Sequence, residues 1–394
     1  MIASKMEGLV KKSSVIRAMF EEGKRLEKEI GKENVFDFSL GNPSVNPPSE
    51  VKEALIDTIN NEDENFLHGY MNNCGYEDVR SYIANSLNKR FDTSFNENNI
   101  IMTVGAAGGL NVILKTLINP GEEVIVFAPF FGEYSNYINN YDGVQVVVEP
   151  NMETFQPNLE EFEKKITSNT KAVIINTPNN PTGVIYSEET IIKLAEILDK
   201  KSKEYGKVIY LISDEPYREL VYTDDKVPYV TKYYKDTVVG YSYSKSLSLP
   251  GERIGYLVIP SEMTCYKDVF DAAGVANRIL GFVNAPSIMQ RAIIKCLDAK
   301  VDVEIYNKNR IYLYENLTRI GYECVEPKGA FYLFVKAPQG DDVVFANEAK
   351  KHGILIVPGS SFGCQGYCRL AYCVDYEKIV NSMSGFEKVF KRFV

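Results

Sequence analysis

Short β-rich runs alternate with helical segments from about residue 50 to residue 284, and this alternation limits the folds open to the chain. The predicted strands are residues 100–103, 123–127, 145–148, 172–176, 208–212, 237–241 and 253–259. Several consist almost entirely of Val, Ile and Tyr, which suits strands buried on both faces of a sheet. The pattern predicts an α/β fold with a mostly parallel sheet between helices, and ligand sites beyond the carboxyl ends of its strands.

The two ends of the chain differ from this central pattern. Residues 13–31 have a helical apolar rhythm. After residue 285 a long helical region runs to about Ile320, and short strands near 330–335, 354–357 and 368–372 precede a last helix. We therefore expect three parts, namely an N-terminal segment (1–49), a large domain (50–284) and a smaller C-terminal α+β domain (285–394).

Composition excludes several classes of protein. The net charge is −9, from 44 Lys and Arg against 53 Asp and Glu, and no dense basic block is present, so we expect no nucleic-acid partner. No apolar run approaches the roughly 20 residues that span a membrane, and Lys5 and Glu7 interrupt any signal-peptide core.

Seven scattered cysteines are typical of reduced thiols in a cytoplasmic protein. Cys364, Cys368 and Cys373 lack a Cys-x-x-Cys pair, so we expect no metal site.

Two loops after predicted strands carry small or rigid residues. The segment Gly105-Ala106-Ala107-Gly108-Gly109 precedes a helix predicted over 110–117. Small residues let backbone N–H groups approach an anion at a helix N-terminus, although tight strand–helix packing would explain the same glycines. In the second loop, residues 176–183, two prolines and a glycine fix a turn from which Asn180 would project as a hydrogen-bond donor. A merely rigid loop is the alternative.

Two charged residues follow later strands. Asp214 comes after the strand 208–212, where a carboxylate can hold a cation, although a helix N-cap is an alternative role. Lys245 is flanked by Ser244 and Ser246 after the strand 237–241. Most lysines are exposed, but a lysine that forms Schiff bases must be partly desolvated. Arg253, eight residues later, could return to the same site as a phosphate clamp.

Together these residues resemble the class I aminotransferases of fold type I, the aspartate aminotransferase superfamily, whose cofactor is pyridoxal 5′-phosphate (PLP). The resemblance covers nearly the whole chain, and the matching residues occur in the family's order. They are Gly41, Tyr70, Gly105, Phe131, Asn180, Asp214, Tyr217, Lys245, Arg253 and Arg369. The resemblance implies a large PLP-binding domain, and an N-terminal segment that contributes to the small domain and caps the active site.

The resemblance also implies a role for each residue around the cofactor ring. Lys245 would hold the aldehyde carbon as a Schiff base and later move a proton from the substrate Cα. Asp214 would pair with the pyridine nitrogen and keep the ring electron-withdrawing. Asn180 and Tyr217 would bond the phenolic oxygen. Phe131 would stack on the ring, at a position where many relatives have Trp.

A second group would bind the phosphate. In the family this group comprises the turn after Gly105 with the N–H groups of Ala106 and Ala107, together with Ser242 and Arg253. A tyrosine of the neighbouring subunit also reaches the phosphate, and Tyr70 stands at the matching position. The resemblance therefore implies a homodimer with shared active sites.

Substrate recognition follows from the same resemblance. Arg369 would fork the α-carboxylate, because its planar guanidinium pairs with two oxygens at once. Gly41 would lie beside that carboxylate, where bulk would block the substrate. The implied reaction is a ping-pong amino transfer with glutamate and 2-oxoglutarate as one pair. Aspartate leads for the other, with aromatic amino acids and alanine next, and Arg278 or Arg17 is a candidate for binding a distal carboxylate.

Three rival functions stay open. A PLP-dependent C–S β-lyase of the same fold would release ammonia and pyruvate from cysteine-like substrates, and these motifs barely separate it from a transaminase. A decarboxylating or racemising relative fits less well, because Arg369 is placed to anchor a carboxylate. A non-enzymatic cofactor-binding regulator would carry an N-terminal DNA-binding domain, which the early start of the resemblance and the acidic charge disfavour.

Overall fold

The computed structural model describes residues 2–11 and 15–394, but not the side chains of residues 4, 11, 15–18 and 20. The strands in chain order are β1 (Phe36–Asp37), β2 (Ile100–Thr103), β3 (Glu123–Phe127), β4 (Val144–Val148), β5 (Thr170–Asn176), β6 (Tyr210–Asp214), β7 (Thr237–Ser242), β8 (Gly255–Val258), β9 (Tyr332–Lys336), β10 (Ile354–Leu355), β11 (Val357–Pro358) and β12 (Tyr367–Ala371). The helices are α1 (Ser4–Lys11), α2 (Val15–Ile30), α3 (Ser49–Asn61), α4 (Glu64–His68), α5 (Glu77–Phe91), α6 (Gly105–Leu117), α7 (Glu133–Asn140), α8 (Leu159–Lys165), α9 (Glu188–Tyr205), α10 (Tyr243–Ser246), α11 (Tyr266–Ile279), α12 (Ser287–Ile293), α13 (Val303–Ile320), α14 (Asp342–Lys350) and α15 (Tyr376–Lys391).

A central sheet with strand order β2-β8-β7-β6-β5-β3-β4 organises the middle of the chain. Its strands pair in parallel except β8, which runs antiparallel to both β2 and β7. Strands β2, β6 and β7 are buried along their whole length, as their apolar composition predicts. The predicted α/β fold with a mostly parallel sheet is confirmed.

Several element boundaries differ from the prediction, and two of the differences change the description of the cleft. The sequence placed the sixth strand at 208–212, but β6 extends to Asp214, because its pairing with β5 continues to Asn176 opposite Asp214. The sequence also placed a loop over residues 105–109, whereas α6 begins at Gly105. The small residues therefore form the first helical turn, whose N–H groups have no partner within the helix.

The small region comprises β1, β9–β12 and α13–α15. Strands β11, β12 and β9 form an antiparallel sheet, and β1 pairs in parallel with β10, which joins the N-terminal segment to the C-terminal part of the chain. The strand predicted at 354–357 is divided into β10 and β11, because these two pieces pair with different strands. A core that includes Phe331, Phe345 and Phe386 fills this region.

The helical stretch predicted after residue 285 is two helices with different neighbours. Met289 and Ile293 of α12 belong to the apolar cluster that also contains Ile100 and Val258 of the central sheet. Helix α13 instead contributes Leu313 to the core of the small region. We therefore propose that the small domain begins between α12 and α13 rather than at residue 285.

Three further features of the described residues concern membrane spans, cysteines and metal sites. Over the described ranges of the chain, no helix is both long and apolar enough to cross a membrane. The seven cysteines are free thiols, and five of them are buried. No three His, Cys, Asp or Glu side chains within residues 2–11 and 15–394 are arranged to hold a metal ion.

Candidate active site

A cavity of about 290 Å³ lies at the carboxyl ends of β5, β6 and β7, beside the first turn of α6. Open α/β sheets place their ligands at this edge. The predicted site residues that line it are Gly41, Ala106, Ala107, Phe131, Asn180, Asp214, Tyr217, Ser242, Lys245, Arg253 and Arg369. The structure thus brings together residues that are up to 328 positions apart in the sequence (369 − 41).

Asp214 ends β6 with one of its carboxylate oxygens unpaired. The Tyr134 hydroxyl donates to Oδ2 at 2.6 Å, while Oδ1 is buried and has no hydrogen-bond partner. Burial raises the pKa of Asp214 to about 7, although the hydrogen bond from Tyr134 acts in the opposite direction. A buried carboxylate with a free oxygen is suited to a cationic partner, such as a protonated ring nitrogen.

Asn176 ties the end of β5 to its surroundings. Its Nδ2 donates to the backbone oxygen of Asp214 at 2.8 Å, and its Oδ1 accepts from the backbone N–H of Asn180 at 2.7 Å. These two bonds fix Asp214 and Asn180 relative to each other. The buried amide, which also lines the cavity, therefore sets the geometry of the strand ends.

Lys245 lies on the short helix α10, which Ser242 caps through a hydrogen bond from the Ser244 backbone N–H at 3.2 Å. Its Nζ donates to the backbone oxygen of Gly41 at 2.7 Å. Burial is the main cause that lowers the pKa of Lys245 to about 8. Cys373 acts in the opposite direction, and the positive charges of Arg253 and Arg369 contribute to the lowering. At neutral pH, Lys245 is then an uncharged amine, the nucleophilic form, in about a tenth of the molecules.

Arg253 and Gly105 form a tight contact beside α10. Arg253 has a positive φ of 54°, and its Nη2 donates to the backbone oxygen of Val104 at 3.2 Å, directly before α6. A Cβ at Gly105, whose φ is 72°, would lie 2.6 Å from that Nη2. Only glycine fits there. The guanidinium and the first turn of α6, with Ala106 and Ala107, together form a positively polarised cradle suited to a phosphate.

Arg369 is 2% exposed and held from several sides. Its Nη1 donates to Oδ1 of Asn180 at 3.0 Å and its Nη2 to the backbone oxygen of Ser39 at 2.6 Å, while Nε is buried without a partner. The rings of Tyr332 and Phe362 lie 4.6 and 4.8 Å from the guanidinium carbon. Such a fixed planar cation with unused N–H groups is suited to a carboxylate.

Tyr217 and Tyr332 meet on the same side of the cleft as Gly41. Their hydroxyl oxygens lie 3.0 Å apart, and a Cβ on Gly41 would collide with the Tyr332 hydroxyl. Burial raises the pKa of Tyr217 well above its usual value and that of Tyr332 to about 12. Both phenols therefore stay protonated at neutral pH and can donate hydrogen bonds.

Phe131 completes the predicted ring-binding side chains. It lines the cavity and meets Tyr134 edge-on, with their ring centroids 5.6 Å apart. Since Tyr134 also holds Asp214, one residue positions both an aromatic wall and a carboxylate. A flat ring could stack on Phe131 with its nitrogen toward Asp214.

Among the described residues, the predicted Gly105 and Tyr70 and the candidate Arg278 do not line this cavity. Tyr70 is 96% exposed and borders a separate surface depression near Phe282. Arg278 is exposed on α11 and does not line the cleft. The side chain of Arg17 lies outside the described residues.

Several residues of the site were missed by the sequence reasoning. Tyr134 and Ser39 carry no motif, and only the fold brings them against Asp214 and Arg369. Tyr332 lies in the segment Gly329-Ala330-Phe331-Tyr332, which resembles the family pattern, so a signal was present. Its hydrogen bond with Tyr217 could not be inferred from that pattern.

The residues present fit PLP on three observations. Asp214 leaves Oδ1 open to a ring nitrogen, Gly105 leaves the space that a phosphate cradle needs, and Lys245 presents a desolvated amine to the same cavity. The segment 105–109 matches neither of the usual Gly-rich nucleotide patterns, G-x-x-x-x-G-K-[ST] and G-x-G-x-x-G. Fold and cleft thus define a PLP-dependent enzyme of fold type I.

Comparison with known proteins agrees with this class. The model of the family "Aminotransferase class I and II" matches residues 33–383. The aspartate aminotransferase of Thermotoga maritima is 32% identical, over 90% of this chain and 91% of its own length. A probable N-acetyl-LL-diaminopimelate aminotransferase of Bacillus subtilis is 31% identical, over 90% and 89%. An aminotransferase crystal structure from Eubacterium rectale superposes with a TM-score of 0.98 at 47% identity, covering 100% of this chain and 99% of that one.

The chain belongs to the class I and II aminotransferases. Members of the family use PLP and act on amino acids and oxo acids, so this protein is a PLP-dependent aminotransferase. The resemblance predicted from Lys245, Arg253 and the ordered motifs is confirmed at the level of family, fold, enzyme class and cofactor.

Proposed function

We propose that the protein transfers an amino group between an L-amino acid and a 2-oxo acid by a ping-pong mechanism, with glutamate and 2-oxoglutarate as one pair and aspartate as the first candidate for the other. The observation that carries this proposal is the convergence of Lys245, Asp214 and Arg369 on one 290 Å³ cavity. A nucleophilic amine, an anion for a ring nitrogen and a carboxylate fork are what amino transfer on PLP requires.

Lys245 supplies the amine and the proton transfer. When bound, PLP supplies an electron-withdrawing ring that stabilises negative charge at the substrate Cα. Lys245 would bond the aldehyde carbon, be displaced by the substrate amine, and then carry a proton from the substrate Cα to C4′ of the cofactor. Its lowered pKa, about 8, supports this, because only the uncharged amine can take up a proton.

Asp214, Asn180 and Tyr217 would hold the cofactor ring. Asp214 would bind the protonated nitrogen through Oδ1, while Tyr134 keeps the carboxylate in place. Because Arg369 occupies Oδ1 of Asn180, the amide must present its NH₂ group elsewhere, which leaves it free to donate to the phenolic oxygen. Tyr217 would donate to that oxygen from the other side.

Arg369 would bind the substrate α-carboxylate beside Gly41. Asn180 and Ser39 already fix two of its nitrogens, so little rotamer freedom is lost when the substrate binds. The absence of a side chain on Gly41 keeps the space near Tyr332 open. These contacts select for a free α-carboxylate but leave the rest of the substrate unspecified.

The phosphate site and the exposed Tyr70 support a homodimer. Ala106, Ala107, Ser242 and Arg253 would hold the phosphate within one chain. A tyrosine that is 96% exposed gains by being buried against another surface, and aromatic residues are enriched at interfaces. We propose that Tyr70 of the partner subunit completes this phosphate site.

Aspartate is proposed because the Thermotoga maritima relative is an aspartate aminotransferase. A second carboxylate would need a further cation, and Arg278 is exposed outside the cleft in the single chain. The distal cation would therefore be Arg17, a cation that a movement of the small region brings into the cleft, or a cation of the partner subunit. Aromatic amino acids and alanine are the next candidates.

The test is a half-reaction followed by absorbance. The holoenzyme is mixed with single amino acids and no oxo acid acceptor. Conversion of the cofactor to its pyridoxamine form by glutamate and by aspartate would support the proposal. Conversion by glutamate and by an amino acid other than aspartate would identify that amino acid as the second substrate. Steady release of ammonia and pyruvate from cysteine-like substrates without an acceptor would replace amino transfer by the β-lyase reaction.

A further inference from the structure

A second and larger cavity, of about 470 Å³, lies on the other side of the segment that carries Lys245. We call it the α5 cavity, and its defining residues are Ile83, Leu87, Arg90, Glu219, Tyr243 and Tyr256. It has no lining residue in common with the active-site cleft. Its volume falls within the range of about 300–1,000 Å³ that is usual for small-molecule sites.

One wall of the α5 cavity is a face of helix α5. Ile83, Ser86, Leu87 and Arg90 recur every three or four residues, so their side chains project from one side of the helix. Another part of the wall is the connection between α12 and α13, which contributes Leu297 together with the charged residues Asp298 and Lys300. The lining is therefore mixed, with apolar side chains beside polar and charged groups.

Two of these polar groups are phenols without partners. Tyr243 and Tyr256 are 5% and 3% exposed, and within the described chain neither hydroxyl has a hydrogen-bond partner. Both side chains line the cavity, so each hydroxyl has space for a bound ligand. Neither hydroxyl oxygen is among the fully buried unpaired atoms, so both are open to the cavity and available to a ligand.

The third polar feature is a half-exposed ion pair. Nη2 of Arg90 lies 2.5 Å from Oε1 of Glu219, and their side chains are 33% and 29% exposed. Among the described residues, Nε and Nη1 of Arg90 and Oε2 of Glu219 make no hydrogen bond. The pair can therefore bind a carboxylate on one side and an ammonium group on the other.

We propose that the α5 cavity binds an amino acid zwitterion with an apolar side chain. The carboxylate would bind Arg90 and the ammonium group Glu219, while the side chain would lie between Leu87 and the phenols of Tyr243 and Tyr256. A zwitterion would present one charge to each member of the ion pair, whereas a simple anion or a simple cation would match only one of them. The apolar side chains of Ile83, Leu87 and Leu297 favour a ligand with an aromatic or branched side chain.

We expect a ligand in the α5 cavity to affect the active site, because residues that line the cavity are close in sequence to Lys245 and Tyr217. Tyr243 is two residues from Lys245 on α10, and Glu219 is two residues from Tyr217. The hydroxyl of Tyr241 lies 2.9 Å from Oγ of Ser246, at the end of the same helix. A bound amino acid would therefore contact the supports of two residues that face the cofactor.

The experiment is calorimetric titration of the holoenzyme with L-phenylalanine after aminooxyacetate has blocked the cofactor and filled the active site. Three variants are compared with the unmodified chain. Ser86→Trp fills the cavity, Arg90→Gln removes the cation, and Asn85→Trp places the same bulk on the exposed side of α5 as a matched control. Melting temperature and aminotransferase activity establish that each variant is folded.

We expect saturable binding of one L-phenylalanine per chain. Ser86→Trp and Arg90→Gln should each weaken it at least tenfold, which corresponds to about 1.4 kcal/mol, and Asn85→Trp should leave it unchanged. Absence of saturable binding up to about 10 mM, or binding that survives both cavity variants, would overturn the proposal. If Ser86→Trp does not fold, Arg90→Gln alone decides between these outcomes.

Discussion

The hydroxyl oxygens of Tyr217 and Tyr332 lie 3.0 Å apart, and the ring of Tyr332 also lies against the guanidinium of Arg369. Tyr217 has a single proton. If it donates that proton to the cofactor's phenolic oxygen, Tyr332 must be the donor in the bond between the two phenols. Tyr332 would then be a positioning residue that connects the proposed carboxylate recognition by Arg369 with the electron distribution of the cofactor ring.

Tyr332→Phe tests this connection, because it removes the hydroxyl and keeps the ring beside Arg369. We expect the pH midpoint of the cofactor's absorbance change to rise by about 0.3 to 1 unit, since Tyr217 becomes a weaker donor to the phenolate. The KM for the amino acid should change less than about twofold. A variant with an unaltered midpoint and a raised KM would assign Tyr332 to substrate binding alone.

Arg369→Lys tests the carboxylate fork. Lysine keeps the charge but cannot bond Asn180, Ser39 and a substrate oxygen in one plane. We expect kcat/KM for the amino acid to fall about 100-fold, which corresponds to about 2.7 kcal/mol, with an unchanged cofactor spectrum. Arg319→Lys, on the exposed side of α13, serves as the control. An equal loss in both variants would point to a general effect on folding.

Asp214 gives a prediction about stability and pH in the absence of cofactor. Its folded-state pKa, about 7, is raised above the ordinary value of 3.8, so the folded state holds the proton more tightly than the unfolded state. The resulting stabilisation is fully present below about pH 3.8 and is lost as the pH rises through 7. Between pH 5 and pH 7.5 the apoprotein should lose on the order of a few kcal/mol relative to Asp214→Asn.

Urea unfolding of both apoproteins at the two pH values measures this difference. Lys245 does not interfere, because its lowered pKa of about 8 costs a nearly constant amount of stability below that pH, which is regained only as the pH rises further. Addition of PLP should remove much of the pH dependence in the unmodified protein, since a protonated ring nitrogen would stabilise the ionised carboxylate. Parallel curves for the two apoproteins would show that Asp214 is already ionised without a partner.

Gly105→Ala tests the cradle for the phosphate. The new Cβ would lie 2.6 Å from Nη2 of Arg253, and alanine at a φ of 72° costs about 1–2 kcal/mol. We expect a lower melting temperature and weaker PLP binding, because Arg253 must move away from the first turn of α6. Gly206→Ala, also at positive φ but with nothing near its Cβ, should lower the melting temperature without affecting PLP binding.

Tyr70 provides a test of the proposed homodimer with shared active sites. In the proposed arrangement, a hybrid dimer of a Lys245→Ala chain and a Tyr70→Ala chain would have one site with both defects and one site with neither. If Tyr70 serves the partner's site, mixing should restore activity well above either parent. If mixing restores nothing, Tyr70 acts within its own chain or not at all.

The sequence predicted the positions of several strands better than the points at which strands end. The strands at 100–103 and 123–127 were placed to the residue, because runs of buried apolar residues ended by Gly, Pro or Asn have few alternatives. The end of β6 at Asp214 was missed, since pairing with β5, and not apolar composition, extends that strand. Motif order gave the residues that would contact the cofactor.

The supports of those residues were not predictable in the same way. Tyr134 and Ser39 each act through one hydrogen bond to a residue that is far away in the sequence, so no spacing rule marks them. Asn176 stands in the loop 176–183, but that loop gave no sign of its hydrogen bond to the backbone oxygen of Asp214. The α5 cavity was missed for a related reason. A cavity arises from how helices and connections fail to fill space, which depends on packing over three elements rather than on any local pattern.

The most direct test of the account is to identify the residue that bonds the cofactor. The holoenzyme is reduced with borohydride, digested and sequenced by mass spectrometry. We predict that the mass of the reduced cofactor is carried by Lys245, and that Lys245→Ala binds PLP without this bond and fails to exchange amino groups. Recovery of the cofactor on another lysine, or catalysis by Lys245→Ala at the rate of the unmodified enzyme, would contradict the account.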